Sequence, residues 1–94
     1  MSDPATRQER IEKTLAAAFP DARCTLTDDS HLHRGHAGAR EGKGHFTLAI
    51  TSAVFDGQPL LARHRTVFAA LSELMDTDIH ALSIDAKTPR ERGQ

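Results

Sequence analysis

Residues 45 to 86 read HFTLAITSAVFDGQPLLARHRTVFAALSELMDTDIHALSIDA, and the order of hydrophobic periods along them decides the fold. From His45 to Ala53 the pattern alternates. Phe46, Leu48 and Ile50 face one way and Thr47, Ala49 and Thr51 the other, as in a half-buried strand. Asp56-Gly57 marks a turn, and Pro59 suits a first helical position because its missing N–H had no partner there. Beyond it the stripe Leu61, His64, Val67, Phe68, Leu71, Leu74 and Met75 advances by threes and fours, which predicts a helix ended by Asp76-Thr77-Asp78. Ile79 to Ala86 reads as a further strand. A helix joining two strands leaves them free to pair in parallel.

Upstream, Asp21 to Thr27 alternates as well, with Ala22, Cys24 and Leu26 opposite Arg23, Thr25 and Thr27. This strand is expected to form an antiparallel hairpin with His45–Ala53. Between them lies the loop 28–44, seventeen residues with four glycines, three histidines and almost no apolar character. Loops of that length are functional or mobile when they occur in a compact domain. Asp3-Pro4 is a helix-start signal, and Ile11, Leu15, Ala18 and Phe19 predict a helix from about Pro4 to Phe19, stopped by Pro20. The expected architecture is α+β: one domain over residues 1–94, ordered helix, strand, strand, helix, strand. Its three-stranded mixed sheet has helices on one face, and a short charged tail, 90–94, closes the chain.

A chain of 94 residues with four Phe and no Tyr or Trp must build its core from aliphatic side chains. Its formal charge of −1 lacks the positive field that non-specific nucleic-acid binding draws on. One cysteine excludes an intrachain disulfide, no apolar run suits a membrane span, and MSDPATRQER has no secretory apolar core, so a cytoplasmic protein without membrane contact is expected.

No G-x-S-x-G elbow, phosphate loop, H-E-x-x-H or C-x-x-C occurs, and the chain is read as a non-enzyme. Cys24 shares its strand face with Ala22 and Leu26 and is expected to be a buried, inert hydrophobe. His64 lies on the apolar stripe, so it reads as partly buried, while Arg63 and Arg65 diverge to the flanks and stay available to a partner. His31, His33 and His36 form H-x-H-x-x-H, which matches no closed zinc pattern; by spacing alone they belong to a turn-forming segment. His80 stands at an element boundary with freedom to project outward.

Five segments together resemble the BolA family: R-x-x-x-I-E-x-x-L-x-x-x-F-P (Arg7 to Pro20), D-x-S-H-x-H-x-x-H-x-G (Asp28 to Gly38), G-H-F-x-L-x-I-x-S (Gly44 to Ser52), F-x-G-x-x-L-x-x-R-H-R-x-V-F (Phe55 to Phe68) and I-H-A-L-S-I-x-A-x-T-P (Ile79 to Pro89). The resemblance implies a class II KH-like fold. It also implies a partner, a monothiol glutaredoxin of the CGFS type, with which a [2Fe-2S] cluster is shared in cluster assembly, trafficking, or iron and redox sensing. In such a heterodimer the glutaredoxin and glutathione would supply thiolates, and this chain two imidazoles. By the same resemblance His80, which precedes A-L-S, is one metal ligand. His36, nine residues before the His of G-H-F, is the other, and His31 and His33 are left as supporting groups or substitutes. Imidazole in place of thiolate raises the potential of such a centre and makes it easier to dismantle by protonation. The resemblance carries a rival role, transcriptional regulation by DNA binding through Arg63, His64 and Arg65. The nearby Asp56, Glu73, Asp76 and Asp78 and the negative net charge count against it.

Overall fold

The computed structural model describes residues 6–29 and 44–93. The first helix, α1, runs Arg7–Ala18 and begins later than Asp3-Pro4 suggested. Thr6 is extended (φ −67°, ψ 163°), and its side chain accepts from the Glu9 N–H at 3.1 Å, satisfying an amide that the first turn leaves open. T-x-x-E was a start signal in the sequence that the Asp-Pro pair obscured. At the far end the Phe19 N–H donates to the Leu15 carbonyl at 2.8 Å, and Pro20 cannot continue the ladder.

Strand β1 (Arg23–Asp28) pairs antiparallel with β2 (Gly44–Thr51), Arg23 opposite Thr51 and Asp28 opposite Phe46. A 3-10 turn, Ala53–Phe55, leads to α2 (Leu60–Ala70) and α3 (Ser72–Thr77). The helix expected as one piece is therefore two, separated at Leu71 (φ −102°, ψ 12°). Strand β3 (Ile79–Lys87) then pairs parallel with β2, giving the order β1-β2-β3. The expected mixed sheet and α+β class hold.

The core joins Ile11, Leu15 and Phe19 of α1 to Leu26, Phe46, Leu48 and Ile50 of the sheet and to Phe55, Val67, Leu71, Ile79 and Ala86. Alternation on β2 is as read from the sequence, with two exceptions on the polar parity: His45 is buried, and so is Thr51, which accepts from Arg92 Nε at 2.9 Å. Truncating a wholly buried residue such as Leu48 would cost about 2–5 kcal/mol. The face of α2 is turned relative to the expected stripe. Leu60 and Leu61 are exposed, while Arg63 is buried one and two turns before Val67 and Leu71.

Cys24 also departs from expectation, being exposed. It lies on the edge strand, where α1 reaches β1 through Gln8 Nε2, which donates to the Leu26 carbonyl at 3.1 Å. Partial burial, and then the negative charge of Glu12, push its thiol pKa up, so it is a poor thiolate.

Candidate metal and partner site

Parallel pairing sets the beginnings of β2 and β3 side by side. Gly44 lies opposite Ile79, and after a register shift His45 lies opposite Ala81. Consequently His45 and His80, far apart in sequence, bring their rings to a centroid separation of 4.9 Å at an interplanar angle of 54°. His80 is exposed and His45 is buried. In the sequence His45 stands out only as the histidine nine residues after His36. The available signal was that a G-H and an I-H begin two strands expected to run parallel.

Backbone contacts draw the flanks of the long loop to the same place. The Asp29 N–H donates to the His45 carbonyl at 2.7 Å, and the Gly44 N–H donates to the Asp78 carbonyl at 2.9 Å. Thus both residues bordering segment 30–43 are held beside the imidazole pair. The expected mobility of the loop and the places of His31, His33 and His36 lie outside the described residues.

Charge around this end is organised by Asp78, which is buried. Arg10 donates to both of its carboxylate oxygens, Nε and the second guanidinium nitrogen each at 3.0 Å, and Arg7 Nε lies 3.9 Å away. The Arg10 fork holds the Asp78 carboxyl below its ordinary pKa, with a smaller contribution from Arg7. Among the described residues no cluster of three or more His, Cys, Asp or Glu could hold a metal ion alone. What the described residues do place together here is two adjacent imidazoles, a donor type that suits borderline metals.

The arginine region has a different character. Arg63 is not available to a partner: Nε donates to the Gln58 carbonyl at 2.8 Å, one terminal nitrogen donates to the Ala86 carbonyl at 3.0 Å and to Glu91 at 2.6 Å, and the other donates to Glu91 at 3.2 Å. This corrects the expectation that both arginines flank the helix. Burial of Arg63 is tolerable because its donors meet carbonyls and a carboxylate. Glu91 is in turn locked by Thr88. Its carboxylate accepts from the Thr88 N–H at 2.8 Å, and the Thr88 hydroxyl oxygen accepts from the Glu91 N–H at 3.2 Å. This reciprocal box, T-P-R-E, is a capping signal in the sequence, and it draws Glu91 of the expected charged tail, 90–94, into the fold. Held by Arg63 first and Thr88 second, the Glu91 carboxyl is lowered to about 2. His64 is half-buried, as expected, and Arg65 is exposed.

No described helix is long and apolar enough to cross a membrane. A family model described as "BolA-like protein" matches residues 15–91. The chain is 39% identical over 88 residues to the chloroplastic BOLA1 protein of Arabidopsis thaliana, covering 90% of this chain but 55% of that protein, so it spans about half the plant relative's length. It is 36% identical over 84 residues to the DNA-binding transcriptional regulator BolA of Escherichia coli, covering 89% of this chain and 77% of that one. The solved BolA domain of SufE1 from Arabidopsis thaliana superposes with a TM-score of 0.81 at 36% identity, over 95% of this chain and 99% of the domain. The fold, the match across most of the chain and these relatives agree, and the chain belongs to the BolA family.

Proposed function

We propose that this chain is a non-enzymatic partner of a monothiol CGFS-type glutaredoxin and shares a [2Fe-2S] cluster with it, in cluster trafficking or in iron and redox sensing. One observation carries the reading: an exposed imidazole, His80, stands 4.9 Å from a second imidazole at the point where both borders of a histidine-bearing segment are anchored. The glutaredoxin cysteine and a glutathione thiolate would complete one side of the cluster. This chain would supply His80 and a second imidazole, from His36 as the family resemblance implies or from His45 beside it, with His31 and His33 as substitutes. The cluster's own chemistry is one-electron exchange at a potential raised by imidazole ligation. What this chain contributes is orientation, since ligating imidazoles must be neutral and aimed together.

The test is to mix the protein with a CGFS glutaredoxin, glutathione, iron and sulfide, and to record visible absorption and circular dichroism against the glutaredoxin alone. A new spectrum that His80→Ala removes supports the reading. A spectrum indifferent to the presence of this chain overturns it.

DNA binding is the second reading, favoured by the described role of the Escherichia coli relative. With Arg63 withdrawn into the fold, Arg65 and half-buried His64 are what the Arg63-His64-Arg65 stretch still offers a duplex. Tight, sequence-selective binding by the isolated chain at physiological salt would promote this role above the first.

A further inference from the structure

We infer that Asp78, gripped by Arg10, is the positioning residue that sets the direction of His80. The inference deepens the ligand reading of His80 and rests on it, although its first readout does not.

Asp78 joins three elements within two residues of the imidazole. Its N–H donates to the Leu74 carbonyl at 2.7 Å, finishing α3; its carbonyl accepts from Gly44 at the head of β2; and its carboxylate receives both donors of the Arg10 fork from α1. The residue between, Ile79, is 1% exposed and packed in the core. On its other side His80 is followed by Ala81, which is paired with His45. The register shift passes over His80, which is held between Ile79 and Ala81, both paired to β2, so the direction of its side chain follows from where Asp78 fixes the strand start.

The physical character of the fork separates positioning from bulk stability. The Arg10 side chain is 42% exposed, so water screens the attraction and the pair contributes little to the folding free energy. A two-point guanidinium–carboxylate contact nevertheless fixes a plane and an angle, which a point charge does not. Weakening it should thus disturb the geometry of the His45–His80 pair more than the melting temperature.

The experiment uses the full chain. In the isolated protein the inter-ring NOE between His45 and His80 is measured for the native sequence, Asp78→Asn and Arg10→Lys. Asp78→Asn is expected to reduce the cross-peak at least twofold with Tm held within about 5 °C. Arg10→Lys, which keeps the charge but presents a single donor centre, should fall between. An unchanged cross-peak in Asp78→Asn, or a loss of Tm with the rings undisturbed, would overturn the inference; if that variant does not fold, Arg10→Lys decides by the same criterion. In the second arm the complex with glutaredoxin is assembled, and Asp78→Asn should alter its visible circular dichroism. If His80→Ala leaves that spectrum unchanged, the ligand reading fails, and the NOE still decides the role of Asp78.

Discussion

Where β2 and β3 begin, a guanidinium–carboxylate fork, Arg10 on Asp78, stands behind an imidazole that reaches solvent; where they finish, about 20 Å away by strand rise, another fork, Arg63 on Glu91, is turned inward. At the first end the acid is buried and the arginine half-exposed, whereas at the second the arginine is buried and the acid is 45% exposed. A buried guanidinium must find a partner for each donor from the protein, so Arg63 gathers Gln58, Ala86 and Glu91 and closes the chain end over the sheet. A buried carboxylate is satisfied by one fork, and its neighbours stay free to present a side chain. The same ion pair thus serves as a latch at one end and as a support for an exposed group at the other.

The largest expected effect tests whether the two ends are separable. His80→Ala should abolish the visible spectrum of the mixed glutaredoxin complex and leave the unfolding free energy of the isolated chain, from urea melts, within about 0.5 kcal/mol of native, because an exposed ring contributes little packing. A large stability loss would mean that this end is a latch as well.

Arg63→Ala is the converse. Removing the buried guanidinium strands two carbonyls and the Glu91 carboxylate, and should destabilise the chain by about 2–3 kcal/mol in urea melts while the folded fraction retains the spectrum of the complex. Loss of the spectrum at full folding would show that the two ends are coupled through β3.

Acid should sharpen the comparison further. The Glu91 carboxyl, near 4.5 when unfolded and about 2 when folded, contributes stability that is fully present above the higher value and is lost as pH falls through the lower. Asp78, also lowered, acts in the same direction. Urea midpoints should therefore decline from about pH 4.5 toward pH 2, and Glu91→Gln should flatten part of that slope. A slope unaffected by the substitution would remove Glu91 from the latch.

The smallest effect is expected at Arg65, exposed beside the buried Arg63. Arg65→Ala should leave stability within about 0.5 kcal/mol, and any weak duplex-DNA affinity should lose about one unit of salt slope. A strong loss of DNA affinity at physiological salt would favour the rival role.

Hydrophobic period was enough to place the described strands, their order among the described helices and the mixed sheet, because whether apolar residues repeat by two or by three to four is a local property that core packing enforces. Motifs in their order were enough for the family. Caps are written in the sequence as T-x-x-E at Thr6 and Thr88, but Asp3-Pro4 and the charge of the tail are stronger local signals that mask them. Three features were decided by tertiary structure alone. Arg63, rather than His64 or Leu61, takes the buried place on α2, because only the folded chain brings the Ala86 carbonyl and Glu91 within reach of a guanidinium. Cys24 keeps the right strand parity yet stays exposed, since parity says which face a side chain takes and not how far a helix extends over an edge strand. His45 meets His80 because parallel register sets two strand beginnings side by side, a contact between residues 35 positions apart that only strand pairing creates.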